Sequence, residues 1–202
     1  MTGLFAVLRA DVLRTYELLE GGRFRKLVNC LRAPGVQAVI VFRFGQWVRK
    51  RSFIIRMLFE PVYFVSNLWI QMAWGIELPR SAKVGPGLYI GHFGGITISS
   101  EAVIGKNCNL SQNITIGVAG KGDRMGVPVI GDHVYIAPGA RLFGKIIVGH
   151  HVKIGANAVV HKDIPDHAVV VLAPGFTILS PEKDRISGGG ERLSLRSLEE
   201  FT

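Results

Sequence analysis

IGDHVYIAPGARLFGKIIVGHHVKIGANAVV, residues 130–160, counts in sixes. Ile130, Ile136, Leu142, Val148, Ile154 and Val160 are aliphatic, each six residues from the next. Ile104, Leu110 and Ile116 keep the same spacing upstream. Val84, Ile90 and Ile96 form an earlier run, and the count restarts two residues later at Ile98. A glycine follows the anchor at Gly85, Gly91, Gly105, Gly117, Gly131, Gly149 and Gly155. A strand repeats every two residues and a helix every 3.6, so neither explains this spacing. A parallel β-helix does: each hexapeptide is one short flat side with an aliphatic side chain pointing inward. The glycine after each anchor is expected to turn the corner, because glycine tolerates positive φ.

The 202 residues suit one main domain with a helical addition, and 48% of them are hydrophobic, enough for a sizeable core. The two cysteines, Cys30 and Cys108, have neither CxxC nor ligand spacing. This argues for a reducing compartment and structural thiols, and against a disulfide framework. The formal net charge of +9 is uneven. Residues 1–76 hold 11 Lys or Arg against 4 Asp or Glu, residues 77–180 hold 9 against 6, and the last 22 hold 4 against 5. The basic excess thus lies before the repeats. No nucleic-acid motif accompanies it. Apolar sequence adjoins it, which favours an anionic membrane surface as its partner.

Three segments are expected: a helical region over 1–75, a β-helix over 76–180 and a flexible tail over 181–202. No signal peptide is expected, because Arg9, Asp11 and Arg14 interrupt any apolar core. Residues 4–20 read as an amphipathic helix stopped by Gly21 and Gly22, and a longer helix is expected from Val36 to about Arg51. Residues 53–76 are rich in Phe, Trp, Leu, Ile and Met, but Arg56 and Glu60 interrupt them. A bilayer span needs about 20 apolar residues, so an interfacial or protein-packed helix is the better reading. On a membrane, Tyr63, Trp69 and Trp74 would sit at headgroup level, with Arg49, Lys50 and Arg51 on lipid phosphates. The expected location is cytoplasmic, with possible peripheral contact to the inner membrane. Val169 to Leu172 and Phe176 to Leu179 should close the far end of the stack.

The hexads break once, between Ile116 and Ile130, where the anchors stand 14 apart. The insert, Val118 to Pro128, is glycine-containing and polar, the type of excursion that forms binding sites. Two anchors early in the helix flank His92, in Leu88-Tyr-Ile-Gly-His-Phe-Gly-Gly95. Six histidines raise the question of a metal, but no three of them promise to converge, so no metal is expected.

These residues resemble the hexapeptide-repeat acyltransferases, closest to the serine acetyltransferase-like branch, over roughly Leu31 to Gly175. The resemblance implies a left-handed triangular β-helix with three hexapeptides per coil, a homotrimer and acetyl-CoA as co-substrate. It implies His92 as general base, oriented by an acid 15 residues upstream, here Glu77. CoA would lie along Gly117, Val118, Ala137 and Ala156, with Lys162 on a phosphate. Arg124 and Met125 would meet the acceptor. Serine acetyltransferases carry Asp before the histidine and Arg-His in the loop, whereas this chain has Gly91 and Arg124-Met125. On those departures, and on Met125 followed by Pro128, the expectation is an O-acetyltransferase of surface or exopolysaccharide biosynthesis, similar to the colanic acid type. Its acceptor would be a saccharide or lipid-linked saccharide. Serine O-acetyltransferase of cysteine biosynthesis and a non-catalytic scaffold are the alternatives.

Overall fold

In the computed structural model, residues 3–172 are described, apart from the side chain of Arg124. Short parallel strands wind through three sheets in strict rotation. One sheet stacks β1 (Ile76–Glu77), β4 (Ile96–Ile98), β7 (Thr115–Gly117), β10 (Arg141–Phe143) and β13 (Val159–Val160). The second stacks β2 (Lys83–Val84), β5 (Val103–Ile104), β8 (Val129–Ile130) and β11 (Ile147–Val148). The third stacks β3 (Tyr89–Ile90), β6 (Asn109–Leu110), β9 (Tyr135–Ile136), β12 (Lys153–Ile154) and β14 (Val169–Val170). The result is a three-sided parallel β-helix, preceded by helices.

Registers give the length of each coil. Ile98 pairs with Ile116 and Leu142 with Val160, each 18 residues on, which is three hexapeptides. Ile90 pairs with Leu110, 20 residues on, so the corner Gly91–Gly95 holds two extra residues. Leu110 pairs with Ile136, 26 residues on. Strands β7 and β8 lie on adjacent sides, so the 14-residue step from Ile116 to Ile130 carries eight extra residues. That excursion is larger than the sequence spacing suggested.

Every anchor from Ile90 to Val160 is buried. So is a second series two residues before each anchor, including Ala82, Leu88, Ala102, Cys108, Ile114, Val134, Ala140, Val152 and Ala158. Residues i and i+2 share one face of a strand, so each flat side points two residues inward. Both cysteines are free and buried. Burial pushes the Cys108 thiol up, which suits packing and not nucleophilic chemistry.

The glycines after the anchors do not turn the corners. Positive φ falls elsewhere, at Gly87, Asn107, His133, His151 and His167 on one edge and at Gly95, Asn113, Gly139 and Asn157 on another. At Gly85, Gly105, Gly131, Gly149 and Gly155 glycine is required by close approach of backbone. A Cβ on Gly105 would lie 2.5 Å from the Gly131 carbonyl carbon, and one on Gly131 2.7 Å from the Gly149 oxygen. Successive coils stack too closely there for a side chain.

Four helices precede the coils: α1 (Leu4–Leu18), α2 (Arg23–Arg32), α3 (Pro34–Arg49) and α4 (Phe53–Trp74). Pro34 opens α3, where its missing N–H costs nothing. Gly75, at φ +59°, ends α4. The first coil has a neighbour on one side only, and α1 and α3 close the other. The buried Asp11 carboxylate accepts from the N–H groups of Gly87 (2.7 Å) and Leu88 (2.8 Å) and from Arg43 Nε (2.8 Å). Arg43, also buried, donates to the carbonyls of Val84 (2.9 Å) and Gly85 (2.7 Å). Gln46 reaches Ala82 O, and Arg14 reaches Gly87 O and Asn109 Oδ1. These polar side chains satisfy backbone groups that the next coil would otherwise pair. Part of the basic excess therefore faces the β-helix and not solvent.

Helix α4 is the one helix among the described residues long and apolar enough to cross a membrane. It lies along α3, with Tyr63 and Ile70 buried. Its two charged residues, Arg56 and Glu60, fall near this inner side of the helical wheel, and Glu60 pairs with Arg80 at 2.5 Å. The expected stack closure at Phe176 to Leu179 and the tail over 181–202 lie outside the described residues.

Candidate active site

The longer corner between β3 and β4 presents His92. Gly94 (φ +97°) and Gly95 (φ +65°) adopt backbone that L side chains avoid, which lets the two extra residues bulge outward. His92 is exposed at this bulge. The Phe93 ring meets Trp74 edge-on at 5.2 Å. Gly75 comes so close to this corner that a Cβ on it would lie 3.3 Å from Gly95 N, and its carbonyl accepts from Ile96 N at 3.1 Å. The end of α4 therefore fixes the His92 corner. Two residues beyond Gly75, Glu77 lies on β1, opposite Thr97 of β4. The topology thus brings Glu77 and His92 to the same first coil, both exposed in the single chain. Glu77 opens onto a cleft of about 610 Å³, shared with Arg49, Arg56, Asn67, Gln71 and Arg80. A second residue at this corner carried no sequence signal. The Tyr89 ring lies beside Gly91, its hydroxyl 3.3 Å from where a Cβ would stand.

The other candidates divide between two edges. Ala137 and Ala156 follow β9 and β12 and occupy the edge that carries His92, lower in the stack. Ala137 N bonds Ile154 O at 2.9 Å, joining the two coils there. Gly117, Val118 and Lys162 lie at the opposite edge of the β1–β13 sheet: Gly117 ends β7, Val118 follows it, and Lys162 lies beyond β13. The excursion leaves from that edge. It holds a 3₁₀ turn, Gly122–Arg124, and an antiparallel bridge between Ala119 and Gly126. Met125 is exposed; the side chain of Arg124 is not among those described. Lys145 ties the turn down through Asp123 O at 3.3 Å. Within one chain, His92 and the excursion stand on different edges.

The remaining histidines form a ladder. His133, His151 and His167 stack ring on ring at 4.8 and 4.9 Å on successive coils, all in left-handed backbone. His150 Nδ1 accepts from Asp132 N at 3.0 Å. Among the described residues, no three His, Cys, Asp or Glu are grouped to hold a metal ion.

No family model matches the chain. The chain is 36% identical over 155 residues to the serine acetyltransferase of Helicobacter pylori, covering 75% of this chain and 84% of that protein. A serine acetyltransferase of Neisseria gonorrhoeae in complex with serine superposes with a TM-score of 0.67 at 25% identity, over 85% of this chain and 67% of that one. A serine acetyltransferase of Entamoeba histolytica in complex with L-cysteine gives 0.65 at 27% identity, over 84% of this chain. This chain spans 63% of that longer protein. These likenesses overturn the expectation of a polysaccharide O-acetyltransferase with a saccharide acceptor. That expectation rested on Gly91, Met125 and Pro128, a few positions set against identity spread over three quarters of the chain. The protein belongs to the serine acetyltransferase family of hexapeptide-repeat, acetyl-CoA-dependent acyltransferases.

Proposed function

We propose that the protein transfers the acetyl group of acetyl-CoA to the hydroxyl of L-serine, the acetylation step of cysteine biosynthesis. The 36% identity to a serine acetyltransferase over most of both chains carries this reading. The exposed His92 corner, with Glu77 on the same coil, supplies the chemistry. A serine hydroxyl is a weak nucleophile at neutral pH and needs a positioned base, which typically contributes about 10² to 10⁴ in rate. Neutral His92 takes the hydroxyl proton as the oxygen attacks the thioester carbonyl. Glu77 holds the other ring nitrogen and stabilises the imidazolium. Backbone N–H groups meet the developing oxyanion. The tetrahedral adduct then collapses, the C–S bond breaks, and the imidazolium returns its proton to the leaving CoA thiolate.

The separation of the two edges favours a site shared between copies. A homotrimer of left-handed coils would set the His92 edge of one chain against the excursion edge of the next. Ala137 and Ala156 from one copy and Gly117, Val118 and Lys162 from the other would then flank CoA, with Arg124 and Met125 near the acceptor. The test is thiol release from acetyl-CoA by the purified protein. Release that depends on L-serine, with O-acetylserine as product, is expected. Thiol release that L-serine leaves unchanged would overturn the reading.

A further inference from the structure

Helix α4 is built inside out. The wheel of an α-helix advances 100° per residue. Tyr63 and Ile70 are buried on the inner side, with Phe59 and Trp74 half-buried beside them. Arg56 and Glu60 project within about 60° of this inner side. The opposite side is Ile54, Leu58, Val65, Trp69 and Met72, between 62% and 77% exposed, with no charge among them. A surface helix normally does the reverse, so this face has a partner. The exposed cations Arg49, Lys50 and Arg51 immediately precede the helix.

We propose that this face docks on an anionic lipid bilayer, with α4 lying in the interface plane. The charge selects this occupant. Residues 1–76 carry a net +7, so two copies meeting through this region would bring like charge to like. Lipid phosphates complement Lys50 and Arg51, while Arg49 lines the Glu77 cleft, and the apolar side chains enter the acyl boundary. At 1.5 Å per residue, the 22-residue helix offers an apolar strip about 33 Å long. Its inner face is held by α3, so one side alone meets lipid. Of the aromatic residues expected at headgroup level, Trp69 is exposed, while Tyr63 and Trp74 turn toward the protein. Gly75 and the Trp74–Phe93 contact join α4 to the His92 corner, so docking would hold that corner beside the lipid surface.

Flotation of the full chain with vesicles tests this, using phosphatidylcholine alone against phosphatidylcholine mixed with phosphatidylglycerol. The protein should float with the anionic vesicles, and less so in high salt, since salt screens the charges and not the apolar contact. Val65→Glu with Met72→Glu should lower partitioning at least about tenfold. The same pair should leave the sedimentation coefficient and acetyl-CoA turnover unchanged. Lys50→Glu with Arg51→Glu should abolish the preference for anionic over neutral vesicles. Equal recovery in the soluble fraction with and without anionic lipid would overturn the proposal. A change in oligomeric state from Val65→Glu with Met72→Glu, without vesicle binding, would give the face to a second copy instead.

Discussion

His92 and Gly91 are adjacent, and they make different demands on an experiment. His92→Ala removes the proposed base but no part of the CoA groove. Turnover should fall at least about 10²-fold while CoA affinity, read by calorimetry, stays close to that of the parent. Glu77→Gln leaves the imidazole in place and poorly oriented, so its loss should be smaller. Loss of CoA binding along with turnover in His92→Ala would mean a structural role for the corner. Gly91 stands where serine acetyltransferases carry an aspartate that would hold the serine ammonium. Its φ is ordinary, and a Cβ there would meet only the Tyr89 ring, at 3.1–3.4 Å. A small ring shift admits a side chain. Gly91→Asp should therefore fold and lower KM for L-serine, and steady-state kinetics would show it. An unchanged KM would mean that the ammonium is held elsewhere.

Among the elements, the strands were legible in the sequence and the roles of the helices were not. Ile130 to Val160 keep their six-residue spacing because each anchor fills the same slot on the next side of the coil. The second inward series is hard to read at Ala102, Ala140 and Ala158, because small buried residues show no contrast with small exposed ones. The burial of Asp11 and Arg43 has no sequence signal, because apart from each other their main partners are backbone groups more than 40 residues away and backbone has no sequence signature. Of the candidate site, the Glu77–His92 spacing is visible in the sequence, whereas the Tyr89 ring beside Gly91 is not. Helix α4 offers a test at this scale. Arg80 hydrogen-bonds Glu60 and holds its carboxyl below the ordinary range. A lowered folded-state value means that this contribution is present above the ordinary carboxylate range and is lost as pH falls through the lowered one. The pair is partly exposed, so the effect is small. Melting curves of the parent and Glu60→Gln should differ near neutral pH and converge in acid. A gap that widened in acid would contradict the assignment.

For the whole molecule, the contacts of Asp11 are a question of cooperativity. Removing one partner of a buried ion pair typically costs about 3–5 kcal/mol, because the other charge is stranded. Asp11→Ala would also orphan two N–H groups of the first coil. Urea denaturation should show a loss of that size, whereas a shift below about 1 kcal/mol would mean that water replaces the carboxylate. The same contacts bear on how the protein could fail. A stack of coils has no built-in last member: an uncovered end is a template for another coil, from the same chain or a foreign one. Asp11, Arg14, Arg43 and Gln46 act as a terminator for that growth. A chain lacking residues 1–75 would expose β1, β2 and β3, and should associate through that end into species that scatter light and bind amyloid dyes. The helical region would then be a chain stop, guarding against an association that the repeats could otherwise nucleate.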